Sequence, residues 1–188
     1  FDLSLGNPVI EPPDEVQVAL VQAAKDISPG LHRYMPNAGL QDVREAIAKT
    51  LSNECQVSLS ANDLVMVCGA AGGLNITLKT LLDSGDEVLI FAPYFVEYLF
   101  YADNHGGKAV AVKTHDDFTL DMDALKDALS EKTKAVIVNS PNNPTGVVYS
   151  REELKQLAEV LKAHSEKTGK AVYLISDDPY KKITFDGV

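Results

Sequence analysis

Ala135-Val136-Ile137-Val138-Asn139-Ser140-Pro141-Asn142-Asn143-Pro144-Thr145-Gly146 is the stretch that decides the fold. Four apolar residues follow one another without alternation, as in a strand covered on both faces. The chain then turns abruptly polar, with two prolines and three asparagines in the eight residues from Asn139 to Gly146. Such a segment is a buried strand followed by a loop whose backbone is fixed by proline and whose side-chain amides are aimed, which is more than a plain connection requires. One of its X-Pro bonds is a candidate for the cis form.

Outward from this point the same solid runs recur, at Leu64 to Val67, Val88 to Phe91, Ala109 to Val112 and Ala171 to Ile175. Helical stretches separate them. Asp121 is placed as an N-cap before Leu125 and Leu129, and Ser150-Arg151-Glu152-Glu153 reads as a capping box before Leu154, Leu157 and Leu161. Alternating strands and helices specify an α/β fold, a three-layer, doubly wound and mostly parallel sheet. Upstream, Phe1 to Pro13 is extended and Pro-rich, Asp14 offers a cap to a helix bearing Val16, Leu20, Ala23, Ala24 and Ile27, and Ser28-Pro29-Gly30 should stop it. Leu40, Val43, Ile47 and Leu51 mark a second, surface helix.

The 188 residues are 45% hydrophobic and 23% charged, the balance of a water-soluble globular domain with a sizeable core. Seventeen Lys plus Arg against 27 Asp plus Glu give a formal charge of −10, which repels a phosphate backbone and argues against nucleic acid as a partner. Cys55 and Cys68 are too few for a disulfide framework or a zinc cage, and the apolar runs fall far short of a membrane span. A reducing, cytoplasmic setting is expected. The chain opens at Phe1 without a Met or a charged-then-apolar leader, and reads as trimmed at the front.

In an open parallel sheet, ligands bind beyond the carboxyl ends of the strands. Four places qualify. Cys68-Gly69-Ala70-Ala71-Gly72-Gly73 opens a helix, and serves either as a tight turn or as a cup of backbone amides for a single phosphate. A dinucleotide fingerprint fits it poorly, lacking a third glycine at the right spacing and an acid after the next strand. Ala92-Pro93-Tyr94-Phe95 offers rings to stack on a flat ligand or to plug the edge of the core. The Asn139 to Gly146 loop is the third place. Ser176-Asp177-Asp178-Pro179-Tyr180 is the fourth, with a carboxylate suited to act as base, metal ligand or partner to a ligand cation. Metal binding would want more converging ligands than His32, His105, His115 and His164 supply from elsewhere in the pattern, so no metal is expected.

Taken together, these segments resemble the fold-type I pyridoxal-phosphate aminotransferases of the aspartate-aminotransferase-like class I/II group. The resemblance runs in order along the chain through Leu5-Gly6-Asn7-Pro8, Tyr34, Gly39 to Ala48, the Gly69 turn, Ala92 to Phe95, Asn142 to Gly146 and Asp177-x-x-Tyr180. It implies pyridoxal 5'-phosphate as cofactor, amino acid and 2-oxo acid as substrates, and a homodimer. It implies that Asp177 pairs with the protonated pyridine nitrogen, that Asn143 and Tyr180 hydrogen-bond the phenolic oxygen, and that Phe95 stacks on the ring. Gly69 and the amides of Ala70 and Ala71 would hold the phosphate, Tyr34 would reach the phosphate of the neighbouring protomer, and Gly6 would leave room for the substrate carboxylate. By the same resemblance, residues 1–14 belong to a small domain and residues 15–188 begin the large cofactor-binding domain.

The resemblance also implies a lysine that binds the cofactor covalently and an arginine that clamps the substrate carboxylate, and neither matches a position up to Val188. Lys181 and Lys182 follow Tyr180 directly and are not assigned to that role. The chain therefore reads as a truncated portion of a longer enzyme, expected to be inactive alone. Two strands of the family's sheet are also missing, which would leave Leu64 to Val67 without a neighbour and its backbone groups unsatisfied, at about 1 to 3 kcal/mol each. Two other functions compete with the aminotransferase: a non-catalytic phosphate- or nucleotide-binding α/β module, and a lyase or decarboxylase using the same cofactor on the same fold.

Overall fold

The computed structural model describes residues 10–185, divided into two compact units at Met66 and Val67. In the first unit, helix α1 spans Asp14–Lys25 and helix α2 spans Gln41–Cys55. Pro13, not Asp14, occupies the N-cap of α1. Asp14 lies in the first turn, where with Glu15 it faces the positive end of the helix dipole. No residue of α1 is buried, its apolar Val16, Leu20 and Val21 included. Gly39, just before α2, is buried with φ at 96° and the Met66 side chain against it, a place where a Cβ would meet both strain and a clash.

Leu64 to Val67 does not form the strand its apolar run suggests. Val65, Met66 and Val67 remain exposed, and the Met66 amide donates to the Ala38 carbonyl at 2.9 Å. An apolar run becomes a strand only where a neighbour accepts its ladder. None does so among the described residues.

The second unit is built on strands β1 (Glu87–Ala92), β2 (Lys108–Lys113), β3 (Thr133–Asn139) and β4 (Tyr173–Asp177), all parallel, in the order β2-β1-β3-β4. Helix α3 (Gly69–Leu81) precedes the sheet, α4 (Glu97–Asp103) joins β1 to β2, α5 (Met122–Ala128) joins β2 to β3, and α6 (Arg151–Thr168) joins β3 to β4. Side chains alternate along each strand, so the two faces bury different sets. Val88, Ile90, Ala135 and Ile137 pack with Leu74, Leu78, Tyr98 and Tyr101 of α3 and α4. Leu89, Phe91, Val136 and Val138 pack with Leu125, Leu157 and Leu161 of α5 and α6. The sheet is thus a middle layer, and the solid apolar runs of β1 and β3 follow from burial on both faces. At β4 the covering thins, and Tyr173 and Leu174 are both exposed.

Both expected caps form. Asp121 accepts from the amides of Asp123 and Ala124, and Ser150 exchanges hydrogen bonds with Glu153. No helix among the described residues is long and apolar enough to cross a membrane.

Candidate active site

The sheet runs from β1 outward to β2, then crosses back to β3 on the other side of β1. This reversal is where neighbouring loops diverge and leave a crevice beyond the strand ends. At the carboxyl ends of β1, β3 and β4 lies a cavity of about 140 Å³, lined by Phe95, Asn143, Asp177 and Tyr180 with Ala70 of α3. Residues drawn from segments more than a hundred positions apart are brought together there. Its size suits a single ring and not a dinucleotide.

Asp177 is the last residue of β4 and half-buried. Its Oδ2 accepts a 2.7 Å hydrogen bond from the hydroxyl of Tyr98, a buried residue of α4 that also lines the cavity. Burial, and then the carboxylate beside it, push the Tyr98 phenol far above its ordinary value, so it stays a donor throughout the physiological range. The hydrogen bond thereby orients the Asp177 side chain. Phe95 meets the Tyr98 ring edge-on, with centroids 5.7 Å apart and planes at 84°, which seats it at the cavity wall. Tyr101, three residues further along α4, donates to Glu97, and burial followed by that carboxylate pushes it up to about 12.

The loop after β3 is held by its own side chains. Asn142 is buried, and its Oδ1 accepts from the amide and hydroxyl of Thr145 at 3.2 and 2.9 Å. Its backbone amide donates to Val147 and its carbonyl accepts from Gly146, where φ is 75°. The Ser140–Pro141 and Asn143–Pro144 bonds are both cis, where the sequence suggested one. Asn139, at the end of β3, donates from Nδ2 to the Asp177 carbonyl oxygen at 2.8 Å and accepts from the Asn143 amide at 2.7 Å.

Ala70 reaches the cavity from the first turn of α3, flanked by Gly69, with φ at 69°, and Ala71. First-turn amides have no partner inside their own helix, and no side chain caps this one. They are available to an anion. Tyr34 is fully exposed in the first unit, and Gly6 lies outside the described residues.

Tyr98, Asn139 and Pro179 are the lining residues that sequence reasoning did not assign. Tyr98 carries no motif and sits 79 residues from its partner. Asn139 belonged to the quoted loop, and its place one residue past the apolar run was the available signal.

A carboxylate, an aimed amide, an aromatic wall, a phenol and free helix amides form a donor set for a flat heteroaromatic ring with a basic nitrogen, an oxygen substituent and a phosphate. Pyridoxal phosphate fits that description. The chain matches the family described as aminotransferase class I and II over residues 1–187. It is similar to a Methanocaldococcus jannaschii protein named "Probable aspartate aminotransferase", 33% identical over 99% of this chain and 47% of that protein. It is 34% identical to the aspartate/prephenate aminotransferase of Thermus thermophilus, over 98% of this chain and 46% of that protein. Among solved structures, an aminotransferase from Eubacterium rectale superposes with a TM-score of 0.95 at 37% identity, over 100% of this chain and 48% of that one. The chain spans about half the length of the curated relatives it matches.

Proposed function

The chain belongs to the class I and II aminotransferases, and from that premise we propose that it forms the ring-binding part of a pyridoxal-phosphate-dependent enzyme that moves an amino group between an amino acid and a 2-oxo acid. One observation carries the reading: Asp177 and Asn143 line the same ring-sized cavity as Phe95, at the switch point of the sheet.

Each residue then has a defined task. The Asp177 carboxylate holds the proton on the ring nitrogen, and Tyr98 keeps that carboxylate turned toward the cavity. The Asn143 amide and Tyr180 hydroxyl hydrogen-bond the phenolic oxygen, and the Phe95 ring covers one face. The amides of Ala70 and Ala71, with Gly69 opening the turn, take the phosphate. When bound, the cofactor supplies an electron sink for the substrate α-carbon. Tyr34 contributes to the site of a second copy in a homodimer, Gly6 leaves space beside the substrate carboxylate, and the protein works in the cytoplasm. The 1–14 segment belongs to a small domain, and residues 15–188 to the large one.

The test is cofactor titration of the whole protein, followed by visible absorbance. Wild type should develop the absorbance of bound cofactor, and Asp177→Ala should lose most of it. An Asp177→Ala protein that binds and absorbs like wild type would end this reading. A nucleotide that raises the melting temperature where pyridoxal phosphate does not would favour a nucleotide-binding module.

A further inference from the structure

Asn139 is 4% exposed, and a buried side-chain amide is tolerated when its donor and acceptor are engaged. Both its partners belong to residues of the site. Its Nδ2 reaches the carbonyl oxygen of Asp177, its partner in the last register pair of the β3–β4 ladder. Its Oδ1 receives the amide of Asn143, four residues along and beyond Pro141. One side chain therefore ties the strand end that presents the carboxylate to the loop that presents the amide. Backbone pairing alone does not achieve this, because the ladder ends at this pair and the loop departs from the sheet.

We propose that Asn139 is a positioning residue whose amide fixes the separation between the Asp177 carboxylate and the Asn143 amide, matching the site to a ring with a basic nitrogen at one edge and an oxygen at another. The inference rests on the cofactor reading above. Its chemistry explains why an amide is required. An aspartate keeps an acceptor for Asn143 but sets an oxygen against the Asp177 carbonyl, and an alanine satisfies neither partner. The two variants thus undo the tie in different measure.

The experiment compares wild type, Asn139→Ala and Asn139→Asp of the whole protein, with Asn143→Ala and Asp177→Ala as references. In cofactor-free protein, amide hydrogen exchange at Asn143 should lose protection in Asn139→Ala and keep most of it in Asn139→Asp. In titrations with pyridoxal phosphate, Asn139→Ala should bind about tenfold more weakly. The pH midpoint of its bound-cofactor absorbance should move in the same direction as in Asn143→Ala. If Asn143→Ala moves that midpoint and a folded Asn139→Ala does not, the positioning role is overturned and the cofactor reading stands. If neither Asn143→Ala nor Asp177→Ala changes affinity or absorbance, the cofactor reading itself fails. Should Asn139→Ala not fold, Asn139→Asp decides: weakened binding supports the proposal, and wild-type affinity with a wild-type midpoint overturns it.

Discussion

The Tyr98 hydroxyl donates to Asp177 Oδ2 across 2.7 Å, joining helix α4 to the carboxyl end of β4. A hydrogen bond to a charged group contributes roughly 1.5 to 3 kcal/mol, and here it fixes one of the two carboxylate oxygens against α4. Tyr98→Phe keeps the ring in the core and removes only the donor. The expected outcome is a folded protein with cofactor affinity lowered by about tenfold, a smaller loss than Asp177→Ala causes. Equilibrium titration measures it, and unchanged affinity in Tyr98→Phe would refute the aiming role.

Phe95 supplies the aromatic wall, braced edge-on by Tyr98. Stacking of this kind is worth about 0.5 to 1.5 kcal/mol beyond the area it buries. Phe95→Ala should therefore weaken cofactor binding by a few-fold to tenfold, while Phe95→Tyr stays near wild type. Equal affinities for the two variants would remove the ring from the site.

The capping box of α6 ties acid stability to one carboxylate. Burial works against the charge on Glu153, but hydrogen bonds from Ser150 and from the Leu120 amide outweigh it and hold the carboxyl below its ordinary value of 4.5. A depressed folded value means that the contribution is present above about pH 4.5 and is lost as pH falls through the lower, folded value. Ser150→Ala should cost about 1 kcal/mol at neutral pH. Glu153→Gln should flatten the acid limb of a denaturation curve taken against pH. An acid limb identical to wild type in Glu153→Gln would contradict this assignment.

At alkaline pH the sign reverses. Burial first, with Glu97 beside Tyr101 and Glu153 near Tyr149, pushes both phenols up to about 12. Their raised folded values favour the protonated form, so the stabilisation is complete below pH 10 and disappears as pH climbs through about 12. Tyr149→Phe should make unfolding less sensitive to pH in this window. Ultraviolet absorbance of phenolate should show the Tyr149 ring titrating late, and early ionisation would show that it is not enclosed.

How far the sequence could be read depended on what each element buries. β1 and β3 were plain because both faces are covered and every residue of the run is apolar. Helices α5 and α6 were plain because Asp121 and the Ser150–Glu153 pair announce their starts. Leu64 to Val67 reads as a strand from its apolar run alone, and stays irregular because, as the resemblance implied, no neighbouring strand pairs with it among the described residues. Helix α4 escaped notice because seven residues between a cis-proline turn and a glycine pair give too little periodicity, although Tyr98 and Tyr101 are its buried face. In the site, strand ends and an unusual loop flagged the segments that hold Phe95, Asn143, Asp177 and Tyr180, and the family resemblance singled out those residues within them. Tyr98 could not, because its importance arises only when a distant helix is laid beside β4.

Asn139 and Asp177 are the last register pair of the β3–β4 ladder, and Asn143 follows from the loop that leaves β3. A slip of that one ladder by a single residue would turn both side chains to the opposite face of the sheet, so the cavity's polar groups are gained or lost together.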